Sequence, residues 1–125
     1  MVWYRVPMLA PLLALALLQQ SASASESGTS LSRDCQAHER IAANGTASGA
    51  DYYFGAHCVG YIDGFIDGIL VISPSPPICP VHASMGTMVK VYLAYVQQHP
   101  VLLDKPAYEG LFAALSDAYP CEKGK

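Results

Sequence analysis

Apolar residues recur along this chain at helical spacing, and no stretch shows the strict alternation of a half-buried strand. The clearest run predicts a helix from about Asp51 to Leu70, in which Phe54, Cys58, Tyr61, Phe65 and Ile69 form one apolar stripe. Asp63 and Asp67 fall on the opposite side, toward water. Gly60, Gly64 and Gly68 repeat every fourth residue along the flank of the stripe. Ahead of it, a shorter helix is predicted from Leu31 to about Ala42, with Leu31, Cys35 and Ile41 inward, closed by the turn-rich segment Asn44–Gly49. A third helix fits Ser84 to Gln98, with Ser84 as N-cap and Met85, Met88, Val89, Tyr92 and Val96 inward. His99-Pro100 ends that helix, and the His99 side chain is expected to cap its last carbonyls. The fourth helix starts near Pro106 and reaches about Tyr119 on a stripe of Leu111, Ala114, Leu115 and Ala118, where Pro120-Cys121 stops it. Between the second and third helices, Ser73-Pro74-Ser75-Pro76-Pro77 makes a stiff, exposed loop. The pattern is that of a small all-α, four-helix domain over residues 31–121, with a flexible lead-in at 25–30 and a frayed tail at 122–125.

Three glycines cost a helix roughly 3 kcal/mol relative to alanine. Close approach of another helix backbone would offset that cost. Packing within the monomer and a helix-to-helix homodimer seam both supply it, and Gly60, Tyr61, Gly64 and Gly68 are the residues either one would use. The same repeat inside a bilayer would drive helix pairing, but Asp63 and Asp67 in the same stretch argue against a membrane span.

The first 24 residues stand apart from the domain. Arg5 precedes an apolar run centred on Leu9–Leu18, and Ser21-Ala22-Ser23-Ala24 offers the small residues of a cleavage site. That order is a secretory signal peptide, expected to be cut after Ala24. The apolar run is about a dozen residues, short of the roughly 20 that cross a bilayer. Removing the segment takes away Arg5 and no acidic residue, so the net charge moves from −3 for the whole chain to −4. An acidic balance disfavours nucleic acid and anionic membranes as partners.

All four cysteines, Cys35, Cys58, Cys79 and Cys121, lie beyond the signal peptide. In an oxidising compartment an even set reads as two disulfides. The helix order predicts a nested pairing, Cys58–Cys79 and Cys35–Cys121, with the eight residues after Leu70 running back along the second helix. A zinc site is disfavoured, because no two cysteines stand at metal-ligand spacing and adjacent His57 and Cys58 point about 100° apart on a helix. No metal or cofactor is expected. Catalysis has no constellation to rest on either. The four histidines are scattered, and the chain lacks a phosphate loop, a paired-histidine helix motif and a nucleophile elbow. Asp63 and Asp67 could pair as carboxylates one turn apart, but read more simply as a solvated face.

Four short motifs occur in order: Cys58-Val59-Gly60-Tyr61-Ile62-Asp63-Gly64, Cys79-Pro80, Tyr95-Val96-Gln97-Gln98-His99-Pro100, and Ala113-Ala114-Leu115 leading to Tyr119-Pro120-Cys121. Together they resemble the Rap/Tai family of immunity proteins against type VI secretion effectors. The resemblance implies a helical periplasmic protein, commonly a homodimer, that binds and blocks a secreted peptidoglycan amidase. One departure concerns Ser84-Met85-Gly86-Thr87, where the family often has Thr-x-Gly-Gln. Thr87 is too short to return to the N-cap amide as Gln does in a capping box. Two other functions fit the same pattern: a small, acid-activated periplasmic chaperone or stress protein, and a housekeeping periplasmic protein of the same fold. A charged content of only 14% disfavours the chaperone, which needs many titratable groups at its seam. For an immunity protein, the expected partner-binding residues are Ser73, Pro74, Ser75 and Pro76 in the loop that runs to Ile78, with Asp63 and Asp67 as the second surface.

Overall fold

The first three α-helices of the computed structural model, which describes residues 25–45 and 47–122, each start at a serine whose side chain satisfies an orphan amide. The expected signal peptide and the end of the tail, 123–125, lie outside the described residues. Helix α1 spans Gly28–Asn44; the Ser27 hydroxyl accepts from Ser30 N–H, and Gly45 closes the helix at φ 61°, a left-handed position suited to glycine. Helix α2, Gly49–Ile72, opens with a capping box. Ser48 Oγ accepts from Asp51 N–H at 3.1 Å, and Asp51 Oδ2 accepts from Ser48 N–H at 3.1 Å. The Arg40 guanidinium, followed by these Ser48 bonds, holds the Asp51 carboxyl below the usual carboxylate range.

Helix α3, Met85–Gln98, is capped by Ser84 as expected, and the Thr87 hydroxyl meets the Ser84 hydroxyl at 2.9 Å. His99 Nδ1 lies 2.9 Å from Tyr95 O, and its ring stacks on that of Tyr95, so it caps the helix end as predicted. A 3-10 turn over Pro100–Asp104 then leads into α4, Ala107–Ala118.

The start of the described chain is bonded to the segment that links the 3-10 turn to α4. Gly28 N–H donates to Lys105 O, Ala107 N–H donates to Glu26 O, and Thr29 Oγ1 donates to Leu103 O. Residues 26–30 are therefore bonded into the domain, and α1 begins three residues before the predicted start. Gly28 is required here, because a Cβ would collide with the Leu102 carbonyl. Tyr92 stands at the centre of the core, fully buried, with its hydroxyl donating to Gly28 O at 3.2 Å. Burial pushes its ionisation well above the ordinary tyrosine range. Leu31, Cys35, Cys58, Ile62, Ile78, Met88, Val89, Val96, Ala107, Leu111, Ala114 and Leu115 fill the space around it. The predicted inward faces of α3 and α4 are found, except that Ala118 is exposed and Met85 only half-covered. On α2 the buried line is Gly55, Cys58 and Ile62. Phe54, Tyr61, Phe65 and Ile69 are half-buried.

Helices α1 and α2 form an antiparallel hairpin, and residues stepping forward along one meet residues stepping back along the other. Asp34 meets His57, Cys35 meets Cys58, His38 meets Gly55 and Arg40 meets Asp51. The disulfides are Cys35–Cys58 and Cys79–Cys121, which corrects the nested pairing. Residues 73–78 do not run back along α2. They cross to the end of α4, where Ile78 bridges Pro120 and Cys79 N–H donates to Tyr119 O at 2.9 Å.

Peptide mapping of the unreduced protein is expected to return Cys35–Cys58 and Cys79–Cys121 peptides alone. In the chain-entropy model these staples contribute about 3.4 and about 4 kcal/mol as upper values, so removing either one should lower the denaturation midpoint. Gly55→Leu should cost about 1–3 kcal/mol in urea unfolding. An added Cβ there already sits 2.9 Å from Ile41 Cδ1 and 3.2 Å from the His38 backbone.

Candidate partner-binding face

Helix α2 is long, apolar and poorly covered. It has the length and composition of a membrane span, with a mean hydropathy of 1.3 over its most apolar window. However, Asp63 and Asp67 interrupt it, and its inner side is crosslinked to α1. At about 100° per residue, Tyr53, His57, Gly60, Gly64, Gly68 and Val71 follow one another along the outer side, with Asp63 and Asp67 beside them. All of these residues are exposed. A Cβ added at Gly60, Gly64 or Gly68 would meet nothing within 4 Å among the described residues. The expectation that this glycine repeat packs tightly within the monomer is therefore overturned. Gly55, one turn before the repeat, is the glycine of α2 that a neighbouring helix requires. Tyr61 packs against the core instead; burial first, then nearby Glu26, raises its ionisation.

The far end of α2 delivers an apolar rim to the proline loop. Val71 is 85% exposed, Ile72 80% and Val81 70%. The loop between them is fixed at both ends. Ser73 N–H still bonds Ile69 O, and Cys79 is held by its backbone bond and its disulfide to Cys121. Cys121 Sγ lies 3.0 Å from Pro76 O, a packing contact, since a disulfide sulfur has no proton to donate. Pro74, Ser75 and Pro77 are exposed, while Ser73 and Pro76 are half-covered. Ile78 departs from the expectation of an exposed loop, because it is buried in the core. Just beyond, His82 holds φ 75°, a left-handed conformation uncommon for a side-chain-bearing residue.

The structure thus gathers the loop residues Ser73–Pro76 at one end of α2 and leaves Asp63 and Asp67 along its outer side. Asp63 and Asp67 form no salt bridge among the described residues. It also assembles a cluster that no motif had marked. Glu26, Asp34 and His57 each bring one oxygen or nitrogen within 4.8 Å of the others, at the junction of the lead-in, α1 and α2. His57 Nδ1 and Asp34 Oδ2 are 2.8 Å apart. A separate cleft of about 330 Å³ lies between α1, α3 and the 3-10 turn, where Ser32, Gln36 and Gln97 meet Leu93 and Leu103.

The family model described as Rap1a immunity proteins matches residues 27–121. No match was found among curated proteins, and none among solved structures. The matched span begins at the Ser27 cap, ends at Cys121, and takes in the helices, both disulfides and the proline loop. The chain belongs to the Rap1a immunity protein family.

Proposed function

We propose that the protein works in the periplasm by binding a peptidoglycan amidase delivered by type VI secretion and blocking its active site, without catalysis of its own. The family match over residues 27–121 carries this reading, since immunity proteins act by binding a toxin. Two disulfides suit an oxidising compartment, and the N-terminal segment has the sequence of an export signal.

The proline loop is the surface offered to the toxin. Its prolines limit the entropy lost when a partner immobilises it, which aids affinity without added contacts. The apolar rim of Leu70, Val71, Ile72 and Val81 gives it buriable area. Asp63 and Asp67 add negative charge that would steer a basic toxin surface. The line of Gly60, Gly64 and Gly68, short of His57 and with Asp63 and Asp67 at its margin, is the seam of a homodimer. Three glycines open to solvent lower the stability of a lone helix, and a second α2 laid against them would cover the exposed backbone.

Replacing Ser73, Ser75 and Pro76 together with glycine should weaken inhibition of the cognate amidase by at least about tenfold, or ~1.4 kcal/mol, with unchanged helical circular dichroism. Full inhibition by the folded variant would move the contact to Asp63 and Asp67. Gly64→Leu should halve the mass measured by light scattering while leaving a folded monomer, because the position is open within one chain. A mass and stability identical to the parent protein would rule out the seam.

A further inference from the structure

The Glu26, Asp34 and His57 cluster is held in place by features unrelated to toxin binding. Asp34 and His57 directly precede the two cysteines of the α1–α2 staple, so the crosslink that joins Cys35 to Cys58 also sets these side chains against each other. The Asp34 side chain is only 4% exposed. Its Oδ1 accepts from Arg33 Nε and a terminal guanidinium nitrogen at 3.2 and 3.1 Å, which fixes the carboxylate and leaves Oδ2 toward His57. Glu26 cannot swing far, because its carbonyl accepts from Ala107 N–H and the next residue caps α1. Its Oε1 is buried and has no hydrogen-bond partner among the described residues. A buried carboxylate oxygen without a donor is unfavourable, and a cation is the simplest remedy. Arg33 is engaged elsewhere, with Asp34 and with the face of the Phe54 ring at 5.0 Å.

We propose that Glu26, Asp34 and His57 bind a divalent transition-metal ion of the zinc class. One imidazole nitrogen and two carboxylate oxygens form a three-ligand set with room for water in the fourth position. The imidazole disfavours magnesium and calcium, which take oxygen ligands. Ligand atoms around zinc sit about 2.0–2.2 Å from the ion, so side chains now within 4.8 Å of one another close the site by small rotations. His57 is 42% exposed and gives the ion a way in from solvent. Arg33 acts as the outer partner that orients Asp34. The bound ion joins the lead-in to both helices of the hairpin.

The test uses the full chain, exported with its own leader, carrying no affinity tag and treated with a chelator. Calorimetric titration with zinc chloride should show one ion per chain. Glu26→Gln and His57→Ala should each weaken binding by at least about tenfold, while His82→Ala, in the exposed turn before α3, should leave it unchanged. Because His57→Ala also removes a partner from Asp34, the unaltered protein supplies a second reading. One equivalent of zinc should shift the His57 ring resonances in an NMR spectrum and leave those of His82 and His99 in place. Absence of stoichiometric binding, binding that survives both variants, or shifts at other histidines without His57 would overturn the site.

Discussion

Only four residues separate Asn44 from Gly49, and a connection that short between two helices forces α2 to fold back along α1. The antiparallel hairpin that results sets the register of everything else in this half of the molecule. Cys35 is opposite Cys58, and the crosslink then locks the register that the turn began. Gly55 lies against the His38 backbone, where no larger residue fits. Arg40 reaches the Asp51 carboxylate that also caps α2, so the turn end of the hairpin and the start of α2 are secured by one side chain. Because α1 occupies the inner side of α2, and α3 and the proline loop take only part of the remainder, the outer side of α2 has no neighbour among the described residues. Its availability is a consequence of the hairpin.

Much of this fold is legible in the amino-acid order, and the misses have identifiable causes. Helix positions follow from apolar spacing, and the caps at Ser84 and His99 follow from residue type, because both depend on local chemistry. The capping box of Ser48 and Asp51 is equally local, a serine followed three residues later by an acidic side chain. The disulfide pairing failed because it is not local. Loop length permits several connectivities among four cysteines, and the nested choice assumed a path for residues 71–78. Cys35 stands nine residues before Asn44 and Cys58 nine after Gly49, so equal distance from the turn would have paired them. The glycine repeat showed that backbone would be exposed somewhere on α2, but not which side α1 would take. Glu26, Asp34 and His57 were illegible, because residues from three segments meet only once the hairpin and the N-terminal cap are both formed.

The inner and outer parts of the domain follow different physical demands. Inside, Tyr92 ties the start of α1 to α3 through one buried hydroxyl, and small residues such as Ala107, Gly110 and Ala114 let α4 lie close by. Changes there disturb volume and hydrogen bonding together. Outside, the apolar side chains at the end of α2 and the prolines beyond them contribute little to the core, with Ile78 as the one exception. A protein whose business is recognition gains from such a division, since contact surface and packing can then be set by separate residues.

The anchoring of the proline loop has a consequence for how this surface changes over generations. Ser73 is held by the last turn of α2, and Cys79 is held by Tyr119 and Cys121, so the chain between them hangs from two posts. Pro74, Ser75 and Pro77 touch solvent and leave the core untouched. Substitutions at these positions alter the exposed shape of the loop while the posts keep the helices in register. The loop can therefore drift in sequence at little risk to folding, and its outward shape can be renewed without first acquiring compensating changes in the interior.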